Sequence, residues 1–306
     1  MTLSTNMPSD PRTLTLAALL WLATLPCAAQ TGTENGEWRS YAADTWGTKY
    51  APLDQITAEN FDDLELAWTW QSADTLLPID NLLVPAERVF ERLEAANPDL
   101  WVTSPSIGRL NATPVMAGGV LYLSTPLYQA AAVDARTGET LWVYNPRVYE
   151  AGSPPLPSPW NHRGVAYWED GDEALVIWGT GDGFLTAVDA RTGLLATSFG
   201  DNGRVSLEEG LPRARENPSR LPPPSRSAPL VVGDTIIVGS SVHDYLPTRE
   251  NAPGFVRAYD ARTGRHKWDF HNVPQSADEY GADTWLNEAW RYSGNTNTWG
   301  NITADL

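Results

Sequence analysis

The chain has 306 residues, which suffices for one large domain or two ordinary ones, and 42% of them are hydrophobic, which excludes a disordered chain. Acidic residues outnumber basic ones by 38 to 21, so the formal net charge is −17. This sign argues against a nucleic-acid partner or an anionic lipid surface, because both bind a basic face. A disulfide-built fold is also excluded, since Cys27 is the only cysteine.

The N-terminus has the pattern of an export signal. An apolar run covers residues 13–25, and small residues follow at Cys27 and Ala29. The pattern predicts a signal peptide over residues 1–29 and an exported, periplasmic mature chain over residues 30–306. Two alternatives are an uncleaved membrane anchor, for which the run is short, and a lipid on Cys27, which the preceding Leu-Pro pair disfavours.

A seven-residue sequence, Ala-(Val/Tyr)-Asp-Ala-Arg-Thr-Gly, occurs three times, at residues 132–138, 187–193 and 258–264. Asp accepts backbone N–H bonds within a turn and Gly adopts the positive φ that closes it, so each copy predicts a hairpin. Apolar strand pairs precede the first and third copies, at residues 114–124 and 229–239. Four short strands per unit, repeated at more than about 40 residues, predict a β-propeller.

A tryptophan follows the glycine of two of these copies, at Trp142 and Trp268. Its large flat side chain can fill the gap between successive sheets. The middle copy has Thr197 at this place, so we expect its packing to differ. Between the units we expect a short helix at residues 85–96 and a long loop at residues 271–299, and loops of this length are often functional.

We predict an all-β chain that forms a partial β-propeller, about half of a larger one, with four-stranded antiparallel blades. Three full repeats and a leading strand at residues 64–70 are present, whereas propellers have about four to eight blades. An open arc would leave tryptophans exposed on its end faces. We therefore expect the chain to be the N-terminal part of a larger protein. The alternatives are a small propeller with a degenerate fourth blade and a sequence interrupted by a frameshift.

Several segments resemble one enzyme family. The opening, W-x-x-Y from Trp38, G-T-x-Y-x-P-L-x-Q-I-T-x-x-N from Gly47 and A-W ending at Trp68, resembles the start of dehydrogenases that use pyrroloquinoline quinone (PQQ). The repeat with its tryptophan resembles the tryptophan-docking motif of that family. Residues 163–168 (RGVAYW) and 256–260 (VRAYD) are similar to segments of its glucose-dehydrogenase-like branch. The resemblance covers nearly all of the predicted mature chain.

This resemblance implies a propeller of about eight blades, with PQQ near its axis beside a calcium ion. It implies oxidation of an alcohol or an aldose hydroxyl in the periplasm, with electrons passed to a quinone or a cytochrome. The implied partners are therefore a small alcohol or sugar, an electron acceptor and the C-terminal half of the propeller. The alternative function is a noncatalytic propeller scaffold that binds envelope proteins, a class that shares the docking repeat but lacks the opening segment and the long loops.

The resemblance also implies roles for single residues. Arg163 matches an arginine that grips a PQQ carboxylate, and Trp299 matches a tryptophan that forms a flat floor beneath this planar cofactor. Asp244 matches an acidic residue that binds calcium, a cation that prefers oxygen ligands. The alternative roles are a surface ion pair for Arg163, core packing for Trp299 and a turn carboxylate for Asp244.

Further positions match the family with less specificity. Ser241 and Ser227 stand where hydroxyl groups contact the cofactor, and Arg226 replaces a neighbouring hydroxyl. Asn111 replaces a glutamate of the first blade and brings no charge. Some members have adjacent cysteines over PQQ, whereas this chain has an Asn-His pair there. We expect its His162 to be partly exposed, and the alternative is that His162 caps the cofactor.

The catalytic base of the family is an Asp from a later blade, which takes the proton of the substrate hydroxyl. No segment of the sequence before Leu306 matches its context. The sequence therefore names no catalytic residue.

Overall fold

The computed structural model describes residues 32–101, 107–153, 160–211, 225–241, 253–294 and 296–305. The predicted signal peptide at residues 1–29 lies outside the described residues, and so does Asp244. No helix within the described ranges has the length and apolar character needed to cross a membrane.

The first regular elements form a small insert ahead of the repeats. Strands β1 (Leu76–Ile79) and β2 (Leu82–Pro85) pair antiparallel and lead into helix α1 (Ala86–Ala96). The sequence predicts the helix but not the strand pair. Single 3₁₀ turns lie at Glu34–Gly36, Phe61–Asp63, Ala73–Thr75, Pro98–Leu100, Val148–Ala151, Ala282–Thr284 and Leu286–Arg291.

Three four-stranded antiparallel sheets follow, each with its strands in chain order. Blade 1 consists of β3 (Val115–Ala117), β4 (Val120–Ser124), β5 (Ala130–Asp134) and β6 (Thr140–Tyr144). Blade 2 consists of β7 (Ala166–Asp170), β8 (Glu173–Gly179), β9 (Phe184–Asp189) and β10 (Arg204–Ser206). Blade 3 consists of β11 (Leu230–Val232), β12 (Thr235–Gly239), β13 (Phe255–Asp260) and β14 (His266–His271). The predicted all-β fold of four-stranded blades is confirmed.

Each seven-residue repeat forms the turn after the third strand of a blade. In blade 1, the Asp134 carboxylate accepts hydrogen bonds from the backbone N–H and the hydroxyl of Thr137 at 2.8 and 3.0 Å. Gly138 closes the turn with a φ of +74°. The same bonds recur at Asp189 and at Asp260 in the other blades. The Asp and Gly of each repeat therefore form the turn that connects the third and fourth strands, as the sequence predicts.

The glycine of this turn is also the place where a tryptophan of the preceding blade or segment docks. The indole of Trp142 lies on Gly193, where an added Cβ would come within 2.6 Å of the ring. Its Nε1–H donates to the carbonyl of Ala190 at 2.9 Å. Trp68 of the leading segment docks on Gly138 in the same way. The predicted role of the tryptophan between successive sheets is confirmed for Trp142, whereas the docking of Trp68 was not predicted.

The seam between blades 2 and 3 is built differently, as Thr197 predicts. Here Phe199 and Val205 lie against Gly264 instead of an indole, with added-Cβ distances of 3.3 and 2.6 Å. The N–H of Gly200 donates to the carbonyl of Thr263 at 2.9 Å and joins the two blades. The outermost strand β10 is shortened to three residues, compared with five in β6 and six in β14.

The segments that precede the innermost strands lie side by side. The N–H of Thr113 donates to the carbonyl of Arg163 at 2.9 Å, and the N–H of Arg163 donates to the carbonyl of Arg226 at 3.0 Å. One residue from each blade is thus linked to the next in a row. The starts of the three innermost strands therefore lie close together, and the candidate site lies beside them.

The insert is fastened to blade 1 by one buried carboxylate. Asp74 accepts hydrogen bonds from the Thr125 hydroxyl, the Leu127 N–H and the Gln129 amide at 2.5, 2.9 and 2.7 Å. Burial raises the pKa of Asp74, although these three bonds act in the opposite direction. The loop between β4 and β5 is therefore held in place from the side of the insert.

The docking contact predicts the effect of adding one methyl group. We expect Gly193→Ala to lower the free energy of unfolding by about 3 kcal/mol, because the new Cβ is strained at positive φ and also collides with Trp142. Gly233→Ala is the matched control, since Gly233 has a φ of +53° but no atom within 4 Å of an added Cβ. Its expected cost is about 1 kcal/mol, from backbone strain alone. Urea unfolding of both variants measures the difference, and equal costs would refute the docking contribution.

Candidate functional site

A cleft of about 200 Å³ lies where the innermost strands begin. We call it the axial cleft. Its lining residues are Tyr41, Arg163, Ser227, Ala228, Trp299, Gly300 and Asn301. Three residues singled out in the sequence, Arg163, Ser227 and Trp299, therefore meet in one hollow although they are far apart in the chain.

Arg163 is held in the cleft by its backbone. Its N–H and C=O are both used in the row of hydrogen bonds that joins the three blades. The next residue, Gly164, is crowded by the Thr113 carbonyl and by the ring of Tyr41, at 3.1 and 3.3 Å from an added Cβ. A side chain at position 164 would push these neighbours away. The small residue therefore allows Arg163 to approach the opening segment of the chain.

The guanidinium of Arg163 and the indole of Trp299 form a cation–π pair. The Cζ atom lies 5.0 Å from the ring centroid. Trp299 is 56% exposed, so a large part of its flat face is accessible to a ligand. The core-packing alternative for Trp299 is therefore wrong. Among the described residues, the Arg163 guanidinium lies over an aromatic ring.

Ser227 orients the tryptophan. Its hydroxyl donates to the backbone carbonyl of Trp299, and its side chain is buried. Behind this contact, Gly239 at the end of β12 packs against the backbone of Thr298. The hydroxyl that the sequence assigns to ligand contact is thus already engaged in positioning Trp299.

His162 lies beneath Arg163 and is fully buried, so the expectation of a partly exposed histidine is wrong. Its Nδ1 shares a hydrogen bond of 2.6 Å with the Ser124 hydroxyl, and its ring lies 5.1 Å from that of Tyr128. Burial lowers the pKa of His162 to about 3, and the positive charges of Arg163 and Arg226 act in the same direction. The imidazole is therefore neutral at pH 7.

Tyr128 completes this buried layer. Burial raises its pKa to about 12, although the charge of Arg226 acts in the opposite direction. Its φ of +63° is unusual for a tyrosine, and it stands in the loop that Asp74 fastens. Arg226, which the sequence places beside the cofactor, is itself buried near this phenol.

The remaining predicted residues do not line the axial cleft. Asn111 is exposed and lies two residues before the hydrogen-bonded Thr113. Ser241 lies just after β12, outside the lining. The predicted calcium ligand Asp244 is not among the described residues, and within those residues no group of three His, Cys, Asp or Glu side chains could hold a metal.

Sequence reasoning missed four lining residues: Tyr41, Ala228, Gly300 and Asn301. Tyr41 belongs to the opening W-x-x-Y pattern, which carries the family resemblance but names no role for the tyrosine. The segment after Trp299 also runs beside the opening segment, since the N–H of Ala304 donates to the Thr45 carbonyl at 2.8 Å. These contacts join parts of the chain that are far apart in sequence, so no local pattern predicts them.

The comparison with protein families decides between an enzyme and a scaffold. Residues 38–306 match the family described as "Glucose/ethanol/alcohol dehydrogenase, beta-propeller domain" of the PQQ group. The chain belongs to this family of PQQ-dependent dehydrogenases.

Curated relatives carry names of the same kind. The chain is 29% identical over 260 residues to quinoprotein glucose dehydrogenase A of Acinetobacter calcoaceticus, covering 78% of this chain and 28% of that protein. It is 30% identical to quinohemoprotein alcohol dehydrogenase ADH IIB of Pseudomonas putida, covering 88% of this chain and 32% of that protein. The chain thus spans about a third or less of the length of these relatives.

A solved structure supports the fold. The quinohemoprotein alcohol dehydrogenase of Comamonas testosteroni superposes with a TM-score of 0.55 at 28% identity, covering 82% of this chain and 29% of that one. The family therefore places the three described blades as part of a propeller.

The buried histidine of this PQQ-dehydrogenase chain predicts a pH dependence of stability. The unfolded state takes up a proton near pH 6.5, whereas folded His162 takes one up near pH 3. Acid therefore favours unfolding, and the stability present above pH 6.5 is lost as the pH falls towards 3. Between pH 7 and 5 we expect this group to remove about 2 kcal/mol from the free energy of unfolding.

The measurement compares urea unfolding at several pH values for wild type, His162→Gln and His266→Gln. The first variant should lose this part of the pH dependence, because glutamine does not titrate. The second should keep it, because it leaves the buried His162 imidazole in place. An unchanged slope in His162→Gln would contradict the assignment.

Proposed function

We propose that this chain forms part of the PQQ site of an exported dehydrogenase that oxidises an alcohol or the hydroxyl of an aldose. The observation that carries the proposal is the meeting of Arg163, Ser227 and Trp299 in the axial cleft. Family membership supports the same reaction class.

The chemistry of the cleft fits the cofactor. PQQ is a planar ortho-quinone with three carboxylates, so it requires an aromatic face and donors for anionic oxygens. The accessible indole of Trp299 offers the face, and the Arg163 guanidinium offers several N–H donors in one plane. When bound, PQQ would accept the hydride that leaves the substrate carbon, and with it the two electrons of the oxidation.

The residues of this chain bind the cofactor and fix its orientation. Arg163 holds a carboxylate of the cofactor, and Ser227 fixes the backbone of Trp299 so that the indole keeps its orientation. His162 and Tyr128 are buried near Arg163, both in their uncharged forms at pH 7.

Calcium, export and the electron acceptor belong to the proposal as well. We assign the calcium ligand to Asp244, as the resemblance implies, with a quinone or a cytochrome as electron acceptor. We also propose that Asn111 and Ser241 contact the cofactor from outside the lining of the axial cleft. The predicted export signal at residues 1–29 supports a periplasmic location for the oxidation.

We further propose that additional blades complete the propeller and supply the catalytic Asp. The outer face of blade 3 supports this, because Trp268 and Phe270 on β14 are 43% and 62% exposed. Trp268 stands four residues after Gly264, as Trp142 does after Gly138, so a further turn glycine is its natural partner. The described blades bind the cofactor, and a later blade carries the general base.

Binding of PQQ tests the axial cleft directly. Equilibrium dialysis of the chain against PQQ with excess calcium chloride should give saturable binding. Arg163→Gln should weaken it by about 10-fold to 100-fold, because charge-assisted hydrogen bonds are worth about 1.5–3 kcal/mol. Trp299→Ala should weaken it by about tenfold through loss of the stacking face.

Arg291→Gln is the matched control, because Arg291 forms a cation–π pair with Trp290 at 4.5 Å outside the axial cleft. It should bind PQQ like wild type. Equal weakening by Arg163→Gln and Arg291→Gln would contradict the proposed site. In a dye-reduction assay with PQQ and calcium, the chain extended by the remaining blades should oxidise alcohols or aldoses, and this chain alone should not.

A further inference from the structure

A second and larger cleft, of about 620 Å³, lies at the seam between blades 2 and 3. We call it the seam cleft. It exists because Thr197 replaces the docking tryptophan and because β10 has only three residues. It shares no lining residue with the axial cleft, so it is independent of the proposed PQQ site. Its volume is within the range of small-molecule sites, about 300–1,000 Å³.

Two buried donors in the seam cleft lack a partner within the described part of the chain. The Tyr259 hydroxyl and the Arg204 Nε are inaccessible to solvent and accept or donate no hydrogen bond. Tyr259 is 1% exposed as a residue, so this hydroxyl has lost water without gaining a protein partner. Such orphaned groups are rare in folded proteins and call for a ligand that accepts hydrogen bonds.

The guanidinium of Arg204 is fixed in place while its Nε remains available. It stacks on the Phe184 ring at 4.0 Å, and its Nη2 pairs with the Asp182 carboxylate. Both contacts involve blade 2 and orient the guanidinium without using Nε. The Arg204 Nε–H is therefore a preorganised donor.

The charges of the cleft lining balance, because Arg204, Arg257 and Arg265 stand against Asp201, Glu209 and Asp269. Asp269 on the blade 3 wall pairs with Arg257 at 2.8 Å and shares a hydrogen bond of 2.7 Å with the His266 ring. Arg265 adds an exposed positive charge to the lining. Burial raises the pKa of Tyr259 to about 12, so its hydroxyl stays protonated and can donate at neutral pH.

The exposed part of the lining has the opposite character. Asp201 and Glu209 are both exposed and offer carboxylate oxygens that accept hydrogen bonds. A ligand that suits the whole cleft thus accepts bonds at its buried end and donates them at its exposed end. A small hydroxycarboxylate has this distribution of groups.

We propose that the seam cleft binds a small hydroxycarboxylate, with its carboxylate on the Tyr259 hydroxyl and the Arg204 Nε–H and its hydroxyls on Asp201 and Glu209. Each protein donor then gains an acceptor, and each exposed carboxylate gains a hydroxyl donor. Binding involves no covalent step.

Isothermal titration calorimetry of the whole chain tests this with sodium gluconate as the probe. Sorbitol is the matched neutral ligand, because it keeps the hydroxyls and lacks the carboxylate, and sodium chloride controls for ionic strength. We expect gluconate to bind at least about tenfold more tightly than sorbitol. Equal heats for gluconate and sodium chloride, or equal affinities for gluconate and sorbitol, would overturn the proposal.

Tyr259→Phe removes one oxygen that has no partner. Gluconate affinity should fall by about tenfold, while the melting temperature stays the same or rises, because an orphaned buried hydroxyl is lost. Tyr280→Phe is the control, since Tyr280 is fully exposed, and it should change neither quantity. Unchanged gluconate affinity in Tyr259→Phe would overturn the role of the hydroxyl. So would a lowered melting temperature, because that result would assign the hydroxyl a structural partner such as a buried water.

Discussion

The contact on which the described structure depends is an indole lying on a turn glycine of the next blade. The ring of Trp142 fits over Gly193 because no Cβ is present, and the indole N–H bonds to the Ala190 carbonyl in the same turn. One contact therefore fixes both the distance and the rotation between two sheets. Together with the contact of Phe199 and Val205 on Gly264 between blades 2 and 3, it brings the starts of the innermost strands together.

The candidate site is a consequence of that convergence. Arg163 precedes β7, and its backbone is bonded on one side to blade 1 and on the other to blade 3. No short-range pattern within blade 2 could place its guanidinium over Trp299, which comes from the long segment after β14. The PQQ-binding geometry that we propose thus depends on the propeller seams rather than on a local motif.

Much of this was predictable from the sequence because the relevant chemistry is local. Asp134 and Gly138 determine a turn within five residues, and Trp142 follows at a fixed distance, so the repeat predicts hairpins, blades and seams. Thr197 predicts the altered seam for the same reason. The resemblance to PQQ-dependent dehydrogenases selected Arg163, Ser227 and Trp299, which the fold brings together.

The rest depends on contacts between residues far apart in the chain. The exposure of His162 was misjudged because its cover comes from Tyr128, in a loop that Asp74 holds from the insert. Tyr41 was missed because its place in the axial cleft depends on Gly164, over 100 residues later. Ser227 was expected to contact a ligand, whereas its hydroxyl bonds to the protein backbone. Burial and pairing of this kind require the three-dimensional arrangement.

Blade 2 forms two kinds of seam, one closed by an aromatic ring and one lined by polar groups. At a docked seam, the indole fills the space and its one polar group is bonded to a carbonyl, so the interface is complete. Between blades 2 and 3 part of that space is lined instead by Tyr259 and Arg204, whose buried donors have no acceptor within the described residues. Burying such groups is unfavourable unless they are paired. A seam closed by an aromatic ring needs no further component, whereas a seam lined by unpaired donors gains stability when an acceptor occupies it.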